Sequence, residues 1–228
     1  MKWWPWPDRG ADVPAGRADF VVFDLETGGL DPSRHDILSF GAVRMRGGRI
    51  DLGSAYETLV RPHGGIPSAE SVRVHQLTPG ELKGKPPIEE AMEEFLDYIG
   101  QSVLVGWHVE LDMAFVRTWA KRLGFPPVKN RSLDVLGLYL SIRGGRGSQL
   151  LEELPLKDAT LYSVARALGV SPKGAHDAVG DAFLTAQVFQ RFLSILRISR
   201  QGEDPSLDTV LRLANPGCRT RAAPQQSF

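Results

Sequence analysis

The run Asp19-Phe20-Val21-Val22-Phe23 is short, apolar and rich in β-branched and aromatic residues, and it leads directly into Asp24-Leu25-Glu26-Thr27-Gly28-Gly29. Such a run reads as a buried strand, and the paired glycines break it. Two carboxylates therefore stand at the end of a core strand, just before the chain turns out to solvent. Side chains alternate along a strand, so Asp24 and Glu26 point to the same face. Like charges that close repel each other, and the pair is costly unless a cation or a proton sits between them. Taken alone, the pair also fits the plainer reading of two solvated acids at a strand end.

The rest of the chain supplies a domain around that strand. Ile37–Val43 reads as a second strand, Gly47-Gly48 as a hairpin turn, and Arg49–Val60 as a third strand that Pro62 ends. These three form an expected antiparallel meander. Thr78-Pro79-Gly80-Glu81 is a capping-box pattern that opens a short helix or turn. Ile88, Met92, Phe95, Leu96 and Ile99 fall on one helical stripe, with Gly100 as its C-cap. Ser102–Val105 is a short buried strand, and an amphipathic helix follows from near Leu111 to Gly124. A strand near Val128–Leu133 comes next, then helices through Leu136–Ile142, Leu161–Leu168 and Asp177–Ile198. Strands first, then strands alternating with helices, imply an α/β domain with a mixed sheet.

Residues 1–18 read as a flexible tail, Trp- and Pro-rich with Trp3, Trp4 and Trp6; 19–198 as the folded domain; and 199–228 as a polar tail with a weak apolar patch at Val210–Leu213. Aromatic rings between prolines suit a docking element for a protein partner. The formal net charge is zero, so a wholesale basic surface for duplex DNA is excluded, although a local basic groove is not. Arg143–Arg146 belongs to a basic loop that fits either a guide for a nucleic-acid strand or a solvated surface. The single cysteine, Cys218, excludes an internal disulfide framework. No apolar run is long enough to span a membrane or to form a signal-peptide core, so a cytoplasmic protein is expected.

Two further acids occupy telling places. Asp112 follows Val105-Gly106-Trp107-His108, where a strand breaks and a helix begins, and an acid in the first helical turn is also favoured by the macrodipole. In Ala175-His176-Asp177-Ala178-Val179-Gly180-Asp181, Asp177 is an N-cap and Asp181 lies one turn further along on the same side. His176 precedes the cap and can turn towards whatever Asp181 faces.

Together these residues resemble the DEDDh 3′→5′ exonucleases, the group that includes the proofreading (epsilon) subunit of bacterial DNA polymerase III. The first motif, D-x-E-T, is matched by Asp24, Glu26 and Thr27. The second, an Asp opening a helix with an aromatic three residues on, is matched by Asp112 and Phe115. The third, H-x-A-x-x-D, is matched by His176, Ala178 and Asp181. Arg73–Thr78 resembles the H-x-I-T element through His75, with Leu77 for Ile. The likeness runs over about residues 19–196, and three motifs in order are far more specific than any one. Two departures touch substrate holding: Gly28 stands where a second Thr is frequent, and Gly106-Trp107-His108 stands where Gly-His-Asn is usual.

The resemblance implies a ribonuclease H-like fold, a mixed five-stranded sheet flanked by helices. It implies two Mg²⁺ or Mn²⁺ ions on Asp24, Glu26, Asp112 and Asp181, with His176 as general base. The product would be nucleoside 5′-monophosphates, released from the 3′ end of a single strand, with DNA favoured over RNA. Thr27, Gly28 and Gly29 are expected at the terminal 3′-hydroxyl, Leu30 and Phe115 against terminal bases, and His75 and His108 near phosphate. Phe115 fits core packing equally well. RNA 3′-end trimming and an inactive module that grips nucleic-acid ends are the alternative functions, and a polymerase or another protein is the expected partner through the tails.

Overall fold

The computed structural model describes residues 13–63, 77–144, 159–172 and 177–216. His75, His176, Arg146, Cys218 and the three N-terminal tryptophans lie outside the described residues. Five strands form one sheet in the order β3-β2-β1-β4-β5. β1 (Asp19–Thr27), β2 (Ile37–Arg46) and β3 (Arg49–Leu59) are the antiparallel meander that the sequence implies. The β2–β3 turn is Gly47-Gly48, both at positive φ (59° and 73°), the two-residue conformation whose twist suits a hairpin. β4 (Val103–Gly106) and β5 (Ser132–Asp134) are parallel to β1, so the sheet is mixed.

The helices are α1 (Pro79–Leu82), α2 (Ile88–Ile99), α3 (Val109–Arg122), α4 (Val135–Gly144), α5 (Leu161–Ala167), α6 (Ala178–Ser199) and α7 (Leu207–Ala214). Strand alternation divides them into two layers. Val21, Phe23 and Leu25 face α2 and α3, where Phe95 packs against Phe23 and Phe40 with ring centroids 5.6 and 4.7 Å apart. Phe20 and Val22 face α4 to α7, and Phe20 meets Phe189 of α6 edge-on at 5.2 Å. Asp24 and Glu26 have the parity of Phe20 and Val22, so they fall on the α6 side of the sheet.

The expected tail boundaries need correction. Residues 15–17 form a 3₁₀ turn, and Ala15 and Ala18 are buried in the core. The apolar patch at Val210–Leu213 is part of α7, which buries Leu207, Val210, Leu211 and Ala214. α7 packs closely on α4 because Gly137 has no side chain: a Cβ there would lie 2.0 Å from the Ala214 carbonyl oxygen. The two segments also bond to each other. The Ala15 amide donates to the Pro205 carbonyl and the Leu207 amide to the Val13 carbonyl, both at 2.8 Å. Residues 13–18 and 205–214 thus belong to the packed body, because each supplies apolar side chains that only tertiary contact covers.

Candidate active site

The site forms where β1 outruns its parallel neighbour. Pairing between β1 and β4 ends at Val22–Val105, and β4 itself ends at Gly106. Among the described residues, no strand pairs with the β1 backbone beyond that point on its β4 side. The Leu25 amide instead donates to the carboxylate of Asp112, in the first turn of α3. The reversal from β4 into α3 runs through His108, which adopts the left-handed region (φ 59°, ψ 38°). Asp134, at the end of β5, holds that turn: its Oδ1 accepts from the His108 amide and from the Leu136 amide, each at 3.0 Å. Asp112 is consequently buried, at 8% exposure.

Asp181 arrives from the opposite layer. Asp177 caps α6 by accepting from the Gly180 amide. The first turn of α6 then crosses β2 at Gly41, the residue opposite Asp24 in the ladder. A Cβ on Gly41 would lie 2.0 Å from the Ala178 carbonyl carbon and 2.1 Å from the Val179 nitrogen. Only a glycine lets the helix come that close. Asp24, Glu26 and Asp181 each offer a carboxylate oxygen within 4.8 Å of the others, and Asp112 adjoins this group.

Crowding of this kind shows in the protonation of the cluster. Burial holds Asp24 well above the usual carboxylate range, and the charges of Asp112, Glu26, Asp181 and Asp177 add to it. Burial, with Asp181 and Asp177, pushes Glu26 up to about 8. Asp112 is raised by burial in spite of its bonds to backbone amides. The cluster therefore holds protons unless a cation replaces them. An all-oxygen donor set of carboxylates fits a hard divalent ion such as Mg²⁺ or Mn²⁺.

The loop that follows β1 is built by residues expected at the substrate. The Thr27 hydroxyl donates to the Gly29 carbonyl at 2.8 Å, and the Gly28 amide donates to the Asp36 carbonyl at 2.9 Å. The Gly28 amide is thus engaged in holding the loop. Gly29 packs on the His35 ring: an added Cβ would lie 2.6 Å from Nε2. Leu30 stands at 77% exposure beside the acids' strand. Phe115, by contrast, is fully buried between α3 and the sheet. Its expected place against a terminal base is overturned, because its position on α3 turns it to the core.

Sequence reasoning missed Gly41, Asp134 and Tyr162. Asp134 carries the same signal as Asp24, an acid at the end of an apolar strand. Tyr162, in α5, donates its hydroxyl to Asp181, at 2.7 Å from Oδ1 and 2.6 Å from Oδ2. Nothing in its local sequence marks that contact.

The model of the Exonuclease family (RNase_T) matches residues 21–189, a span that takes in all four acids. The chain belongs to the exonuclease family. Among related proteins, the PolC-type DNA polymerase III of Thermotoga maritima is 36% identical over 186 residues, covering 82% of this chain but 13% of the polymerase. The DNA polymerase III subunit epsilon of Aquifex aeolicus is 34% identical over 177 residues, covering 78% of this chain and 81% of that subunit. This chain therefore corresponds to a small part of the PolC-type relatives and to most of the epsilon subunit. Among solved structures, Escherichia coli exonuclease I in complex with a dT13 oligonucleotide superposes with a TM-score of 0.71 at 19% identity. That match covers 81% of this chain and 43% of exonuclease I. The shared fold is the ribonuclease H-like mixed five-stranded sheet flanked by helices. No helix among the described residues is long and apolar enough to cross a membrane.

Proposed function

We propose that this protein is a 3′→5′ exonuclease that removes nucleoside 5′-monophosphates from the 3′ end of single-stranded DNA, using two divalent ions, in replication proofreading or repair in the cytoplasm. The observation that carries this reading is the set of three carboxylates within 4.8 Å, with buried Asp112 beside them, at the open end of β1. Asp24, Glu26 and Asp181 would hold the ions, with Asp112 acting directly or through water. Bound there, Mg²⁺ or Mn²⁺ would supply charge neutralisation for the phosphodiester and a more acidic attacking water. Without that charge the cluster would repel an anionic strand.

The chain's own groups do the rest. His176 takes the proton from the attacking water, in the role implied by the third motif. Thr27 keeps acceptor lone pairs towards the terminal nucleotide, and Leu30 presents an apolar edge to a base, since stacking tolerates every base. His108 lies exposed at the turn before α3 and suits a phosphate contact. The names of the relatives, a polymerase III subunit and an exonuclease crystallised with oligodeoxythymidylate, support DNA as substrate and a polymerase as partner.

The test is mononucleotide release from 3′-terminal positions of matched single-stranded DNA and RNA oligomers. DNA is expected to be degraded with Mg²⁺ or Mn²⁺ and left intact in chelator. Asp24→Ala should fall to background yet melt no lower than wild type in chelator, because it removes a buried acid from a crowded cluster. His176→Ala should lose about 10²–10⁴-fold in turnover and lose the rise of activity with pH that a neutral imidazole base gives. Faster degradation of RNA would move the substrate to RNA ends, and no release from either polymer would remove the enzymatic reading.

A further inference from the structure

Tyr162 touches the site in a way that bears on which ion the site accepts. α5 is held in place by a reciprocal cap. The Ser163 amide donates to the Thr160 hydroxyl oxygen, and the Thr160 amide donates to the Ser163 hydroxyl oxygen, both at 3.1 Å. Leu161, Val164 and Ala165 are buried beneath it. The helix start is therefore fixed, and the half-buried Tyr162 projects from it to Asp181 of α6. Its oxygen is almost equidistant from the two carboxylate oxygens, at 2.7 and 2.6 Å. A group equidistant from both oxygens of a carboxylate lies on the side where a chelated cation sits.

We propose that Tyr162 is an ion-selecting and positioning residue, which closes the chelating side of Asp181 and leaves that carboxylate to bind an ion through one outward oxygen. The proposal rests on the reading of Asp24, Glu26 and Asp181 as an ion site. Mg²⁺ is small, keeps a strict octahedron and takes carboxylates through single oxygens, whereas Ca²⁺ accepts bidentate carboxylates and a looser shell. A hydroxyl fixed on the chelating side therefore acts against Ca²⁺. It also orients the carboxylate towards Asp24 and Glu26, as partners behind a ligand generally do.

The experiment is calorimetric titration of Mg²⁺ and of Ca²⁺ into the metal-free full chain, without substrate, for wild type and Tyr162→Phe. Wild type should prefer Mg²⁺. In Tyr162→Phe, the ratio of Ca²⁺ to Mg²⁺ affinity should rise by about tenfold, the lower end of what removing a supporting partner does. Melting in chelator checks that the variant folds, and Tyr162→Leu, which also lacks the hydroxyl, should show the same shift if the Phe variant does not fold. Wild type and folded variant with equal ratios would overturn the role of Tyr162 and leave the ion site standing. Wild type that takes up neither ion would overturn both.

Discussion

The two helices that bring acids to β1 are seated by different means. α3 comes from one layer of the sheet, and its Asp112 is pinned by main-chain amides, including that of Leu25. α6 comes from the other layer, and its Asp181 depends on side-chain features: the missing side chain at Gly41 and the hydroxyl of Tyr162. Backbone donors survive almost any substitution, while a bare glycine surface and one hydroxyl do not. The α3 side is therefore the robust wall of the cleft, and the α6 side is the one that single substitutions can move.

Two glycines test that difference directly. On Gly41 a Cβ would meet main-chain atoms of α6 at 2.0–2.3 Å, and backbone cannot swing aside. Gly41→Ala should destabilise by about 3 kcal/mol, the upper part of the range for overpacking, and should carry Asp181 away from Asp24 with loss of turnover. Gly106 is the corresponding contact under α3, where a Cβ would meet Val109 Cγ2 at 3.1 Å and the Phe23 carbonyl oxygen at 3.2 Å. A few tenths of an ångström relieve that, so Gly106→Ala should destabilise by about 1 kcal/mol. Thermal melts of the two variants give the comparison, and equal losses would break it.

Protonation gives a smaller effect shared by both walls. The Glu26 carboxyl titrates at about 8 in the folded protein against an ordinary 4.5. A raised acid pKa means that the folded state binds more protons than the unfolded chain between those values. Stability of the metal-free protein is thus highest below the unfolded value and falls as pH rises towards 8. Melting in chelator from pH 5 to pH 9 should show the decline, and saturating Mg²⁺ should flatten it. A melting temperature that rises over this interval in chelator would contradict the crowded cluster.

The smallest expected change is at an exposed side chain in the loop after β1. Leu30→Ala should leave stability within about 0.5 kcal/mol of wild type, since Leu30 is exposed. It should raise KM for a short DNA oligomer by about threefold, the size of one lost apolar contact. An unchanged KM would remove Leu30 from the substrate surface.

Much of this arrangement was legible in the sequence because it is local. The alternation that puts Asp24 and Glu26 on one face, the glycines of the hairpin and the cap before Asp181 are all short-range signals. Phe115 was ambiguous for a physical reason: an aromatic in the second turn of a helix, beside the acid that opens it, can face a cleft or a core, and only the crossing of α3 over the sheet decides. α7 was read as tail because an apolar stripe only eight residues long, set among polar residues, looks weak until α4 is beneath it. Tyr162 and Gly41 were illegible because each matters through a residue of another element, 19 positions away for Tyr162 and more than 130 for Gly41.

The bonds that tie residues 13–15 to residues 205–207 have a consequence for how such a body can be carried by other polypeptides. Within the described residues, the first and last segments run as two adjacent, antiparallel stretches, and α7 continues only about 12 Å beyond the second. A unit connected in this way can be set into a surface turn of a host chain without pulling the turn apart. Its transplantation calls for two neighbouring splice points rather than a rebuilt host.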